Sequence, residues 1–178
     1  LFVSDSDGLF PVSAEGAIRT FQRGPAMPKI LILMGSSSDR EYFTGVERLS
    51  EFFGLDMEMA ELSAHRNPQQ LRARLEATLG DGTEVVIAAA GMAAHLAGAC
   101  AAETLLPVIG VPLPNSPLNG LDALLSTVQM PSGVPVAVVA VGKAGADNAI
   151  VLAARILALK YPAVADKLRE FRAKGARL

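Results

Sequence analysis

From Pro28 onward the chain is written in blocks, with apolar runs separated by stretches of helical spacing. The runs at 29–34, 84–90, 107–111 and 134–141 are near-continuous in apolar residues and lack the in/out alternation of a half-exposed strand, and a further run at 55–62 interleaves Leu, Met and Ala with Asp56, Glu58 and Glu61. They predict five strands buried on both faces. Apolar positions recur at helical spacing over 39–53, 68–79, 93–105, 118–128 and 144–160, and a polar helix follows at 164–174. That last helix carries Lys167, Arg169, Glu170 and Arg172, on either a solvated face or an arm laid across a neighbour. Gly54 and Gly80 follow the first two helices where left-handed caps are wanted. Strand–helix alternation with right-handed crossovers predicts an α/β fold, a single-domain three-layer αβα sandwich around a five-stranded parallel sheet. Residues 1–26 have no clear periodicity. They are expected to be a non-native or disordered N-terminal extension ahead of an initiator at Met27, with one domain over 27–178.

In an open parallel sheet, ligands bind outside the carboxyl ends of the strands, so the loops after Met34, Leu62, Ala90, Val111 and Val141 are where chemistry is expected. Three polar clusters fall there. Gly35-Ser36-Ser37-Ser38-Asp39 offers close backbone approach, hydroxyl donors and a helix start, which suits a phosphate; Asp39 could accept from ribose hydroxyls. Helix capping by Ser38 or Asp39 explains the same residues equally well. Ser63-Ala64-His65-Arg66-Asn67-Pro68 places a planar, permanently charged fork beside a side chain that titrates near neutrality. Pro68 suits a first helical turn, with Asn67 as its cap. Gly91-Met92-Ala93-Ala94-His95-Leu96-Ala97-Gly98 leaves backbone open to a flat ligand and sets His95 on or beside the next helix. His65 and His95 are the chain's only histidines, and both fall in these clusters. That placement points to proton transfer.

Composition narrows the partners. An apolar share of 51 % with only 19 % charged residues and a mean hydropathy of +0.35 exceeds what a 178-residue monomer needs, and predicts buried subunit interfaces. No apolar run approaches the roughly 18 residues of a membrane span, so no membrane partner is expected. A net charge of −2 with scattered arginines gives no footprint for nucleic acid. The lone Cys100 excludes an intrachain disulfide and a multi-cysteine metal site. It reads as an inert core thiol in a reducing compartment. Two histidines without neighbouring cysteines or repeated carboxylates do not make a zinc site, and no G-x-S-x-G elbow is present.

Taken in order, several runs resemble one family. They are 32–39 (ILMGSSSD), 63–68 (SAHRNP), 107–112 (PVIGVP), 118–126 (LNGLDALLS), 128–131 (VQMP) and 142–149 (GKAGADNA). The pattern resembles the class I N5-carboxyaminoimidazole ribonucleotide mutases, catalytic subunits of the bacterial phosphoribosylaminoimidazole carboxylase, and spans essentially 28–159. The resemblance implies a cytoplasmic isomerase of de novo purine (IMP) biosynthesis with a flavodoxin-like sheet. Its reaction moves a carboxylate from the exocyclic nitrogen to C4 of an aminoimidazole ribonucleotide, with no metal, ATP or organic cofactor. A pocket histidine, here His65, shuttles a proton while CO2 is released, held and recaptured. Carried over by position, Ser36, Asp39 and Arg66 contact the phosphoribosyl part with Ser38 and Ser63 nearby, and Gly91 and His95 close around the base and the migrating carboxylate. The family's octamers have sites between subunits, toward which the Gln129-Met130-Pro131 loop could reach. An ATP-dependent synthetase supplies the carbamate substrate.

The chain departs from the family pattern at three places: a second glycine is usual where Met92 stands, proline at Ala97 and methionine at Ala99. A positive φ at position 92 would strain methionine. The class II form, which carboxylates aminoimidazole ribonucleotide directly with CO2, usually has lysine at the position of Arg66 and lacks His95. Two other functions compete with the mutase: that direct carboxylase, and a catalytically silent nucleotide-binding module of the same fold, which would keep Ser36, Asp39 and Arg66 but not need His65.

Overall fold

The computed structural model describes residues 2–5, 8–11 and 27–178. Most of the expected extension therefore lies outside the described residues; within it, β1 (Phe2–Asp5) and β2 (Gly8–Pro11) pair antiparallel. The remaining strands, β3 (Lys29–Met34), β4 (Asp56–Glu61), β5 (Thr83–Gly91), β6 (Val108–Leu113) and β7 (Ala137–Val138), form one parallel sheet in the order β4-β3-β5-β6-β7. This is the doubly wound order in which the chain reverses direction at its first strand. Ile30, Ile32 and Met34 pack on one face with Phe43, Val46, Phe53 and Ile150. Leu31 and Leu33 pack on the other with Leu71, Leu75, Leu96 and Cys100. With both faces covered, every position of β3 after Lys29 must be apolar, hence the unbroken run.

Helices α2 (Pro68–Ala77), α3 (Leu96–Glu103) and α4 (Leu121–Val128) follow β4, β5 and β6, and α5 (Gly142–Leu157) and α6 (Pro162–Ala173) close the chain. The expected helix over 39–53 is two pieces, a 3₁₀ stretch Ser37–Phe43 and α1 (Val46–Phe53), separated by Gly45 at φ +88°. Gly54 caps α1 in the left-handed region at φ +68°. Gly80 does not take the expected left-handed cap; α2 runs out through Thr78, and Gly82 makes the reversal at φ +82°. The fifth strand is far shorter than 134–141. Pro135 brings no N–H to a ladder, the carbonyl of Val139 accepts from Asn148 Nδ2 at 3.2 Å, and that of Ala140 lies against Gly145, 2.4 Å from where a Cβ would stand. The end of the run thus bonds to α5 and leaves the sheet.

The α5 stripe is core: Ala146, Ala149, Ile150, Ala153 and Ala154 are fully buried. Helix α6 docks on its own chain through Val164 and Phe171, the latter edge-on to Phe53 at 5.3 Å between ring centroids. Cys100 is sealed in the core, where desolvation pushes its thiol up to about 12. No helix among the described residues is long and apolar enough to cross a membrane.

Candidate active site

The loops after β3, β4 and β5 meet where the sheet order reverses, and they line a cavity of about 550 Å³. Its walls include all eight residues singled out from sequence: Ser36, Ser38, Asp39, Ser63, His65, Arg66, Gly91 and His95. A larger groove of about 1120 Å³ between α1, α5 and α6 contains none of them.

The loop after β3 is built around Asp39. Ser36 is the cap residue of the 3₁₀ stretch and Asp39 its third position, so the Asp39 carboxylate reaches back to accept the Ser36 N–H at 3.0 Å. This is the reciprocal arrangement of a capping box. The Ser38 hydroxyl donates to Ser36 Oγ at 3.1 Å. The cap takes one lone pair of Oδ2, and since each carboxylate oxygen can accept more than one hydrogen bond, capping and ligand binding are not exclusive here. Only 2 % of Asp39 is exposed. Burial pushes its carboxyl above the usual range, and Glu61 adds to that; the Ser36 and Gly35 backbone N–H groups and the Arg66 charge pull it back.

The loop after β4 is a tight turn. Ser63 accepts the Asn67 N–H through its carbonyl at 2.9 Å and the Arg66 N–H through its buried hydroxyl at 3.2 Å. Ser63 thus shapes the turn that carries His65 and Arg66. Asn67 occupies the cap position of α2 without a side-chain capping bond. The Arg66 guanidinium crosses to the β3 loop and donates from Nη2 to the Gly35 carbonyl at 2.6 Å, which holds its fork beside Ser36 and Ser38.

The loop after β5 supplies the second histidine. His95, at the cap position of α3, faces His65 edge to face, with Nε2 of His65 and Nδ1 of His95 2.7 Å apart. At that distance one facing nitrogen donates and the other accepts, so the pair shares a single proton between the two loops. Met92 stands at φ +54° with its side chain at the rim, 60 % exposed. The position does adopt the left-handed backbone that the sequence comparison flagged as unsuited to methionine. Met92→Gly is expected to stabilise the protein by ~0.5–1 kcal/mol, since relief of a left-handed non-glycine residue exceeds the added backbone freedom. A higher urea midpoint at unchanged slope would show it; a lower midpoint contradicts it.

The sequence marks the loop after the fourth strand but singles out no site residue in it. Asn115 of that loop lines the cavity and donates from Nδ2 to Asp39 Oδ1 at 3.0 Å. The available signal was its position just past the carboxyl end of β6. Among the described residues no group of three or more His, Cys, Asp or Glu side chains is gathered to hold a metal ion.

The AIR carboxylase family profile matches residues 29–177. The N5-carboxyaminoimidazole ribonucleotide mutase of Saccharolobus solfataricus is 52 % identical over 145 residues, 82 % of this chain and 90 % of that protein. The mutase of Escherichia coli K12 is 43 % identical over 144 residues, 81 % of this chain and 85 % of that one. Among solved structures, PurE of Treponema denticola superposes with a TM-score of 0.76 at 29 % identity, covering 84 % of this chain and 92 % of that chain.

Proposed function

The chain belongs to the AIR carboxylase family, and we propose that it is the family's mutase, converting N5-carboxyaminoimidazole ribonucleotide to 4-carboxy-5-aminoimidazole ribonucleotide in purine biosynthesis. The observation that carries this reading is the His65–His95 contact of 2.7 Å, set in one cavity with Arg66 and the Gly35–Asp39 loop. Cleavage of the carbamate N–C bond leaves its electron pair on the exocyclic nitrogen, which takes a proton as CO2 departs. C4 then attacks the held CO2, and the C4 proton must leave. Proton gain and loss balance, so one histidine can give a proton and regain it, and His65 fills that role with His95 sharing its facing proton. CO2 is kept for recapture by a small, water-poor pocket, which Ala90, Gly91 and Ala93 favour by their size. Arg66, Ser36 and Ser38 take the phosphate, and Asp39 the ribose hydroxyls.

In this reading residues 27–178, ending in α6, make up the catalytic domain, and 1–26 an extension outside it. The substrate is a small ribonucleotide supplied by an ATP-dependent synthetase that forms the carbamate, and the enzyme works in the cytoplasm. It assembles as a homo-oligomer, an octamer by family pattern. Support comes from α4, where Leu121, Leu125 and Val128 put an apolar face into solvent, continued by Leu118, a surface that burial against another copy would cover.

A coupled ultraviolet assay tests the function. The purified protein is given either the carbamate, or aminoimidazole ribonucleotide with low bicarbonate. Turnover of the carbamate, with the parent used only at high bicarbonate, is the expected result. Preference for the parent would reassign the protein as the direct carboxylase, and silence with both substrates would leave a nucleotide-binding module.

A further inference from the structure

The Asp39 carboxylate is buried among the loops of the cavity, and each of its oxygens is engaged by a different partner. Oδ2 takes the Ser36 N–H inside the capping box, and Oδ1 takes Nδ2 of Asn115. A carboxylate can only accept, so the amide must turn its NH2 toward Asp39 and its carbonyl away. That carbonyl lands over Gly91: a Cβ on Gly91 would lie 1.5 Å from Asn115 Oδ1. Gly91 has no positive φ, so its lack of a side chain is required for space and not for backbone conformation. The end of β5, the loop after β6 and the 3₁₀ stretch are thereby linked through one amide.

We infer that Asn115 is a positioning residue for Asp39, seated in the gap that Gly91 leaves open, and that it fixes the carboxylate in the orientation in which it receives the ribose hydroxyls. The ribose assignment rests on the function proposed above; the link between Gly91, Asn115 and Asp39 does not. The other charges around Asp39 are Glu61 and Arg66, which act in opposite directions, and the two histidines of the same cavity. Helix α5 packs on the 3₁₀ stretch, but its Lys143 and Asp147 pair with each other and line the other groove. Loss of the Asn115 donor leaves a desolvated carboxylate with one fewer hydrogen bond to its charged form, which favours protonation.

The test is a carbon-13 NMR titration of the Asp39 carboxyl in the free protein, in the wild type, Asn115→Ala, Gly91→Ala and the double variant. Asn115 is exposed, so its truncation should leave the fold intact. The three atoms nearest a methyl at Gly91 all belong to the amide of Asn115, so Gly91→Ala should displace that side-chain tip rather than unfold the strand. Both single variants should move the Asp39 midpoint to higher pH, and the double variant should match Asn115→Ala alone, since the displaced group is already absent. An unmoved midpoint in Asn115→Ala, or additive shifts in the double variant, would overturn the inference. In the assay, Asn115→Ala should raise KM roughly tenfold with kcat within about threefold. Its KM should climb further as pH falls through a range where the wild type is still flat, because Asp39 accepts from hydroxyls only when ionised. A fall in kcat at unchanged KM would contradict the positioning role. If the wild type does not turn over the carbamate, the mutase reading fails while the titration still decides the role of Asn115.

Discussion

His65→Asn is expected to lower kcat by ~10²–10⁴-fold while leaving ribonucleotide affinity within about tenfold. Asparagine retains a planar polar side chain and a donor for His95 Nδ1, so the contact now made at 2.7 Å has a partial substitute. What it cannot do is gain and lose a proton during turnover. The binding groups lie elsewhere: Arg66 is tied to the Gly35 carbonyl, and Asp39 is fixed by its capping box. Neither anchor passes through the imidazole of His65. Single-turnover kinetics with the carbamate, alongside a titration with aminoimidazole ribonucleotide, separates the two effects. Near-wild-type turnover would remove His65 from the chemistry and favour a module that only binds nucleotide. A parallel collapse of affinity would make His65 a binding group.

Much of this arrangement is legible in the sequence. The apolar pattern predicts the first strand with the bounds that β3 has, because two buried faces leave no polar position to blur its ends. The three clusters after the first three strands converge because the sheet order places those carboxyl ends side by side. What the sequence concealed depends on contacts between distant segments. The fifth strand reads as eight apolar residues, yet it pairs over two, since Asn148 and Gly145 of α5 engage Val139 and Ala140. The first helix breaks at Gly45, a position that helical periodicity alone passes over. Asn115 escaped notice for the same reason: its partners, Asp39 and Gly91, lie 76 and 24 positions away in the chain. The serines of two clusters suit ligand binding by type alone, whereas the structure shows Ser63 shaping the turn under Arg66. Local pattern marked which loops matter, and long-range packing decided what each side chain in them does.

Arg66→Ala should have the opposite signature to His65→Asn, with affinity lost first. Removing the guanidinium should weaken ribonucleotide binding by roughly 2–5 kcal/mol, because a phosphate drawn into the cavity then lacks its charged partner. The cost should be large because Arg66 is anchored already: its Nη2 bond of 2.6 Å to the Gly35 carbonyl orients the fork over the serine loop before ligand arrives, so little side-chain entropy remains to be lost on binding. Lysine at this position tests the fork itself. A single ammonium keeps the charge but cannot hold the Gly35 carbonyl and present a planar pair of donors at once, so Arg66→Lys should fall between alanine and the wild type. Calorimetric titration with aminoimidazole ribonucleotide gives the affinities, and the same titration with the unphosphorylated riboside locates the loss. The riboside should bind wild type and Arg66→Ala alike if the arginine serves the phosphate. Equal losses for riboside and ribonucleotide would move Arg66 from the phosphate to the base or its carboxylate. In the mutase such binding energy also positions C4 against trapped CO2, so kcat in Arg66→Ala should fall along with affinity.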